Sequence, residues 1–139
     1  MTPRVFVDTN VFVYLFDSDA PAKRARARAI IAARDATVVT STQVLQEFYV
    51  TVTRKLATPL ASAEAEAATR DLASFTVVAP DTAMVLRAIA LSRKASLSFW
   101  NALIIEAASE AGCDHLLSED LQAGQVFGAV TVENPFISS

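Results

Sequence analysis

Four polar residues occupy positions from which a sheet-based fold could bring them together for chemistry. Asp8 directly follows a short apolar run, and Asp120 comes three residues after the end of another. Glu47 lies about two turns into a predicted helix, and Asn101 lies in the first turn of a later one. Because ligands of open α/β sheets bind at the carboxyl ends of the strands, we expect these four side chains to converge there as one oxygen-rich site.

Each of the four residues also has an ordinary structural explanation. An Asp after a strand is often a turn former, and a Glu on a helix is usually solvated. Asn101 could cap the helix that begins near Ser98. Asn101 nevertheless interrupts the most apolar stretch of the chain, where an unpartnered polar group costs about 1–3 kcal/mol. The joint pattern, rather than any single residue, favours a functional site.

Composition narrows the class of protein. The chain has 139 residues, 53% of them apolar, with a net charge of −3, which excludes disorder and predicts a single domain over residues 1–139. The single cysteine, Cys113, and the single histidine, His115, exclude a disulfide framework and a zinc site built from several imidazoles. We expect Cys113 to be a small core residue and His115 a core or surface residue. With no apolar run near the roughly 18 residues of a membrane span, we expect a cytoplasmic protein.

The hydrophobic pattern predicts strands that alternate with helices. Strands are expected at 5–7, 38–40, 75–78 and 115–117, with a last marginal strand around Val126 and 130–132. Helices are expected over 10–16, 23–34, 41–55, 62–74, 81–94 and 98–111, with Ser41, Asp81 and Ser98 as N-caps. This alternation predicts a three-layer α/β/α sandwich around a mostly parallel sheet of four to five short strands.

Four short motifs, in this order and spacing, resemble those of PIN-domain ribonucleases. Among these the sequence is most similar to the VapC toxins of type II (VapBC) toxin–antitoxin modules, and the resemblance extends from Val5 to Phe136. The motifs are Val7-Asp8-Thr9-Asn10, Gln46-Glu47-Phe48, Ser98-Phe99-Trp100-Asn101-Ala102-Leu103-Ile104 and Leu117-Ser118-Glu119-Asp120-Leu121.

The resemblance implies a metal-dependent endoribonuclease. Oxygen ligands without His or Cys suit Mg²⁺ or Mn²⁺, which would activate a water and stabilise the leaving 3′-oxygen. The acidic metal cluster would be formed by four positions, and two further polar residues would orient it. The four positions are Asp8, Glu47, Asn101 and Asp120, and the two supporting residues are Asn10 and Ser118.

One motif position departs from the family pattern. The family normally has Asp where this chain has Asn101, a change that keeps the side-chain shape and removes one negative charge. We therefore expect weaker metal binding and an activity lowered by orders of magnitude, with the fold retained. A naturally divergent member and a deliberate inactivating substitution both fit the sequence.

Charged residues are unevenly distributed along the chain, with most of the basic side chains in its first half. Residues 1–60 carry eight basic and five acidic side chains, whereas residues 61–139 carry four basic and ten acidic ones. Within the first half, Lys23, Arg24, Arg26 and Arg28 are predicted to bind the RNA backbone, together with Arg34 and, more distantly, Arg4, Arg54 and Lys55. The alternative is a solvated helix face. The resemblance further implies a homodimer and a neutralising VapB-like antitoxin.

Two other functions compete with the nuclease. A receiver-type signalling domain would need adjacent acidic residues after its first strand and a lysine after its last, and neither is present. A catalytically inactive PIN-fold module that binds RNA or protein fits Asn101 better. Trp100 is interpreted as a buried anchor at the start of its helix, with stacking on a base as the alternative.

Overall fold

The structure is a computed structural model that describes residues 2–33 and 35–137. Within these ranges the strands are Arg4–Val7 (β1), Thr37–Ser41 (β2), Thr76–Val78 (β3), His115–Leu117 (β4), Val126–Phe127 (β5) and Val130–Glu133 (β6). The helices are Thr9–Tyr14 (α1), Pro21–Ala32 (α2), Thr42–Arg54 (α3), Ser62–Leu72 (α4), Thr82–Ala95 (α5) and Phe99–Glu110 (α6). None of these helices is long and apolar enough to cross a lipid bilayer.

The strands form one twisted sheet in the order β3-β2-β1-β4-β6-β5. All neighbouring strands are parallel except β5 and β6. The chain builds the sheet outward from β1 through β2 to β3 and then returns to place β4 on the other side of β1. The border between β1 and β4 is therefore the point at which the strand order reverses, where α/β sheets open a cleft at their carboxyl edge.

The predicted class, a three-layer α/β/α fold with a mostly parallel sheet, is confirmed. Helices α1 to α4 pack on one another and α5 packs on α6, with α3 and α6 in contact with the sheet. The sheet has one strand more than the four to five expected, because the segment predicted as a single marginal strand is a hairpin. Its two-residue turn begins at Gly128, whose φ of +61° suits a tight hairpin turn.

The core is continuous from the sheet into the helices. Strand β1 contributes Phe6 and Val7, and α3 buries Val44, Phe48 and Val52 on one face, as its helical spacing predicts. Helix α6 buries six residues, which explains its uniformly apolar sequence. Cys113 is buried, and burial raises the pKa of its thiol to about 11, so it is a core residue as expected.

The three predicted N-caps are present, and two of them begin helices that carry candidate site residues. The hydroxyl of Ser41 accepts a hydrogen bond from the amide of Val44, and Ser98 Oγ accepts one from the amide of Asn101 at 3.1 Å. Because α3 begins where β2 ends, its first turns lie at the carboxyl edge of the sheet. The third cap, Asp81, starts α5 and accepts from the amide of Met84 at 2.9 Å.

The connection between α5 and α6 contains a strained residue and generates a stability prediction. Ser96 ends α5 at φ 55° and ψ 44°, the one non-glycine residue with positive φ in the described ranges. Ser96→Gly should raise the free energy of unfolding by about 0.5 kcal/mol, since relief of the left-handed conformation outweighs the added freedom of the unfolded chain. Urea unfolding measures this, and Ser62→Gly in the first turn of α4 serves as a control expected to destabilise. A loss of stability in Ser96→Gly would contradict the left-handed conformation of Ser96.

Candidate functional site

The carboxylate of Asp8 is buried at the junction of β1, β4 and α1. Its Oδ1 accepts a hydrogen bond from the amide of Thr9 at 2.7 Å, and its Oδ2 accepts one from Ser118 Oγ at 2.8 Å. The main-chain amide of Asp8 donates to the carbonyl of Leu117 at 3.0 Å, which extends the pairing of the two strands. Asp8 is only 4% exposed, so its position is fixed by the sheet itself.

Asn10 joins the loops that follow β1 and β4. Its Nδ2 lies 3.2 Å from Ser118 Oγ, 3.2 Å from Asp120 Oδ2 and 3.5 Å from Asp8 Oδ2. Its Oδ1 accepts from the amide of Glu119 at 3.2 Å, and the amide of Asp120 donates to Ser118 Oγ at 3.1 Å. The two residues expected to support the site, Asn10 and Ser118, thus both contact Asp8 and the segment that carries Asp120.

Glu47 approaches the same place from α3. Its Oε2 accepts from Thr9 Oγ1 at 3.0 Å, and its Oε1 accepts from Gln43 Nε2 at 2.8 Å. Thr9 therefore connects the Asp8 and Glu47 carboxylates. A cleft of about 360 Å³ opens here, and its lining includes Asn10, Glu47, Thr51, Lys55 and Asp120. Within this lining Lys55 is the basic side chain.

The electrostatics of the cleft are unfavourable to Asp8 as an anion. Burial raises the pKa of Asp8 to about 6, opposed by its hydrogen bonds from Ser118 and Thr9 and reinforced by the charges of Asp120 and Glu47. Like charges at such a site are stabilised when a cation is bound between them. Protonation of Asp8 and binding of a cation at this site are therefore both coupled to the stability of the folded chain.

The donor set fits a hard divalent cation in its chemistry. Asp17, Glu47 and Asp120 line the cleft, and the buried Asp8 contacts the lining residues Thr9 and Asn10. Mg²⁺ and Mn²⁺ prefer such oxygen ligands. As the side chains stand, no group of three or more Asp, Glu, His or Cys residues within 2–33 and 35–137 is arranged to hold an ion. Glu47 and Asp120 are exposed but hydrogen-bonded, Glu47 by Thr9 and Gln43 and Asp120 by Asn10. The Asn10 amide lies between the Asp8 and Asp120 carboxylates, so these contacts would have to rearrange around an ion.

Asn101 is joined to this cluster only indirectly. It is half-buried in the first turn of α6, and its side chain makes no hydrogen bond to any residue that the structure describes. The link is Gln43, whose Nε2 donates to Glu47 Oε1 and, at 3.3 Å, to the carbonyl of Trp100. The structure thus places Glu47 and Asp120 in the lining of the cleft and the buried Asp8 against it, while Asn101 is joined to them only through Gln43 and the main chain of Trp100.

The predicted RNA-binding helix face is partly used for contacts within the chain. Lys23 Nζ lies 3.0 Å from Glu119 Oε2 and 3.1 Å from the hydroxyl of Tyr14, and Arg26 Nε donates to the carbonyl of Pro135 at 3.0 Å. Arg24 is half-buried and Arg28 is exposed, while Arg34 lies outside the described residues. Arg4 donates to the carbonyl of Ala111 at the amino end of β1, on the opposite edge of the sheet.

Several residues of the site were missed by the sequence reasoning. Gln43 and Thr9 donate hydrogen bonds to Glu47 and fix its position. The signal for Gln43 was its place one helical turn before Glu47, and the signal for Thr9 was its place inside the first motif. Glu119 accepts hydrogen bonds from both Tyr14 and Lys23, and Lys23 also lies 4.8 Å from the centroid of the Tyr14 ring. This cluster holds the segment with Asp120 against α1 and α2, and it has no signal in the sequence because its members are far apart.

The buried carboxylate generates a pH prediction. The pKa of Asp8 is about 6 in the folded chain against 3.8 for an ordinary Asp, so the folded state binds the proton more tightly. Its contribution to stability is therefore present at low pH and falls by up to about 3 kcal/mol as pH rises from 4 to beyond 6. In metal-free buffer Asp8→Asn should gain stability relative to wild type over this window. Urea unfolding at pH 4, 6 and 7.5 measures the difference, and a difference that is constant with pH would contradict it.

The contacts of Glu119 generate a second prediction. Glu119→Gln should loosen the 118–121 segment, so that its amide protons exchange faster in NMR measurements. Global stability should change by no more than about 1 kcal/mol, as for other partly exposed ion pairs. Glu66→Gln, which removes an exposed ion pair with Arg70 on α4, is the matched control and should leave the 118–121 amides unchanged. Equal exchange in the two variants would show that Glu119 does not hold the segment.

Comparisons with known structures give relatives of the same fold. A chain of a toxin–antitoxin complex from Klebsiella pneumoniae is 17% identical with a TM-score of 0.72, and the match covers 95% of this chain and 98% of that chain. VapC20 of Mycobacterium tuberculosis, described as a Sarcin-Ricin loop cleaving toxin, is 20% identical with a TM-score of 0.64, covering 81% and 86%. A chain of VapBC2 from Rickettsia felis bound to a promoter DNA fragment is 14% identical with a TM-score of 0.65, covering 94% and 98%.

The sequence comparisons agree with the fold. No curated protein matches the sequence. The family model of the PIN domain matches residues 5–126, a range that contains β1 through the start of β5 and every residue of the acidic cleft. The chain therefore belongs to the PIN-domain family.

Proposed function

We propose that this chain is a Mg²⁺- or Mn²⁺-dependent endoribonuclease of the VapC toxin type, weakened by Asn101. The observation that carries the proposal is that Glu47 and Asp120 line one cleft, and the buried Asp8 adjoins it, at the reversal of strand order. Similarity in fold to a toxin described as cleaving the Sarcin-Ricin loop supports RNA as the substrate class. Such an enzyme would act in the cytoplasm.

Each residue of the cleft has a role in this proposal. When bound, a divalent ion would supply the positive charge that orients the scissile phosphate and makes water a nucleophile at neutral pH. Asp8 would be its rigid ligand, since two hydrogen bonds fix its orientation, and Glu47 and Asp120 would complete the set from exposed positions. Asn10 and Ser118 would hold Asp120 in place. Lys55, in the lining of the cleft, would attract the RNA backbone.

No histidine base is required by this mechanism. His115 lies at the amino end of β4, where its Nδ1 is 2.9 Å from Glu133 Oε1 on the neighbouring strand. It is two residues upstream of the edge that carries Asp8 and Asp120. The carboxylates of the site would instead hold the ion, which would supply the charge that makes water nucleophilic without an imidazole base.

Asn101 would weaken the site by charge rather than by shape. An amide in place of a carboxylate removes one anionic ligand from the neighbourhood of Glu47 and leaves the start of α6 unchanged. The α6 cap does not involve the Asn101 side chain, because Ser98 accepts from its main-chain amide. The substitution is thus compatible with the fold and unfavourable for metal binding.

Cleavage of RNA by this chain and by Asn101→Asp tests the proposal. With Mn²⁺ present, Asn101→Asp should cleave a structured RNA at least about 100-fold faster, since one anionic ligand contributes several kcal/mol to charge stabilisation in a metal site. Adding Asp8→Asn to that variant should abolish the gain. Asp71→Asn, an exposed charge loss on α4, is the control and should have no effect. Equal rates for the wild-type chain and Asn101→Asp would exclude position 101 as a working ligand.

A catalytically inactive PIN-fold module is the second candidate, and Asn101 favours it. Calorimetric titration with Mn²⁺ separates the two, because a pure RNA- or protein-binding module need not bind the ion in the millimolar range. RNA binding without Mn²⁺ binding or cleavage, even in Asn101→Asp, would establish the module.

The partner that we propose is a VapB-like antitoxin, and the assembly a homodimer. Support comes from the structural relatives, which include toxin–antitoxin complexes from two organisms other than Mycobacterium. An open groove of about 570 Å³ runs between α3 and α4, with Tyr49 and Val50 exposed along it. The small apolar residues Ala65 and Ala68 of α4 are buried in the core of the chain and are not available to a second subunit.

A further inference from the structure

Trp100 is exposed, and its interpretation as a buried anchor is wrong. The indole is 61% exposed in the first turn of α6. Its neighbour Phe99 is the half-buried residue that packs against the core. The helix begins at the Ser98 cap, and the turn that follows directs Ala102 and Leu103 inward, which leaves Trp100 on the solvent side. An exposed indole retains a large apolar surface that is suited to recognition.

The main chain of Trp100 is joined to the acidic site, and its indole packs on a neighbouring ring. The Trp100 and Phe99 rings meet edge to face, with centroids 5.0 Å apart and planes at 76°. Gln43 Nε2 donates hydrogen bonds to both the main-chain carbonyl of Trp100 and Glu47 Oε1, at 3.3 and 2.8 Å. The main chain of Trp100 is thus separated from the Glu47 carboxylate by a single amide group. An ordered side chain loses less conformational entropy when it binds a ligand.

The charge distribution explains why an uncharged contact is needed here. The cleft is lined by carboxylates, and the residues that would otherwise attract phosphates are partly engaged, Lys23 with Glu119 and Arg26 with Pro135. Phosphate contacts alone therefore give this face little affinity for RNA. A base presents a neutral π face, and stacking on an aromatic side chain is insensitive to base identity.

We propose that Trp100 is a stacking platform for an unpaired RNA base adjacent to the cleavage site. This inference rests on the proposed nuclease function and adds to it a single-stranded substrate segment at the α6 side of the cleft. A base stacked on the indole would fix the register of the strand relative to Glu47 and Asp8. The site would accordingly favour loops and single strands over continuous duplex, in which bases are already stacked.

Intrinsic fluorescence tests the inference directly, since Trp100 is the only tryptophan in the chain. A single-stranded RNA oligonucleotide should quench the emission of the wild-type chain on binding, and duplex RNA of equal length should quench it far less. By fluorescence anisotropy of labelled RNA, Trp100→Leu should raise Kd by roughly 5- to 100-fold, the range expected for one stacked base. Trp100→Phe should recover most of the affinity. Leu86→Ala, which removes an exposed apolar side chain on α5, is the control and should change nothing.

Three outcomes overturn the inference, and the first two distinguish its failure from failure of the nuclease function. Suppose that Asn101→Asp cleaves RNA with Mn²⁺, but RNA does not quench the emission of the wild-type chain and Trp100→Leu leaves the Kd for RNA unchanged. The stacking role is then wrong and the nuclease function stands. If no variant binds or cleaves RNA, both fail together. Quenching by a VapB-like antitoxin, with RNA affinity unaffected by Trp100→Leu, would make the indole a protein contact. Thermal unfolding of Trp100→Leu close to that of wild type shows that a lost affinity is not a lost fold.

Discussion

The burial of one carboxylate, that of Asp8, is the constraint around which the site is arranged. Removing an anion from water is unfavourable unless hydrogen bonds and a counter-charge compensate. The hydrogen bonds come from the Thr9 amide and the Ser118 hydroxyl, one local and one from the strand beside it. Compensation thus requires β1 and β4 to pair in the observed register, in which Val7 lies opposite Leu117. The remaining deficit of positive charge is what would favour a bound cation in the proposed metal site.

The distribution of charge beyond Asp8 follows the same logic. Glu119, the neighbour of Asp120, is neutralised by Lys23 and hydrogen-bonded by Tyr14, so its charge supports the loop instead of adding to the repulsion in the cleft. Glu47 and Asp120, which line the cleft, form no ion pair within the described part of the chain. Part of the basic surface is used to build the site, so in the proposed nuclease recognition of RNA would depend on Lys55 and on uncharged contacts near α6. Trp100 is the residue best placed for the second role.

Much of the fold could be predicted because its determinants are local. Ser41, Asp81 and Ser98 cap their helices as their positions in the sequence indicate, and the burial of Phe48 and Val52 follows from helical spacing. The final hairpin was missed because β5 has two residues, too few to show alternation, and depends on one glycine turn. The exposure of Trp100 was missed because an aromatic residue in an apolar run is normally buried, and only the helix start decides which side it faces.

The sequence by itself determined the chemistry available to this protein. The sequence has carboxylates after strands, a single histidine and a single cysteine, and an amide at a position where the resemblance to PIN-domain ribonucleases implies an acid. It also determined the PIN family, through the order of four short motifs. Tertiary structure alone decided which side chains meet. The pairing of β1 with β4 joins Asp8 to Ser118, 110 residues away, and the packing of α3 joins Glu47 to Thr9. It also decided that Lys23 binds Glu119 rather than solvent, because such contacts depend on distances between elements that no local pattern encodes.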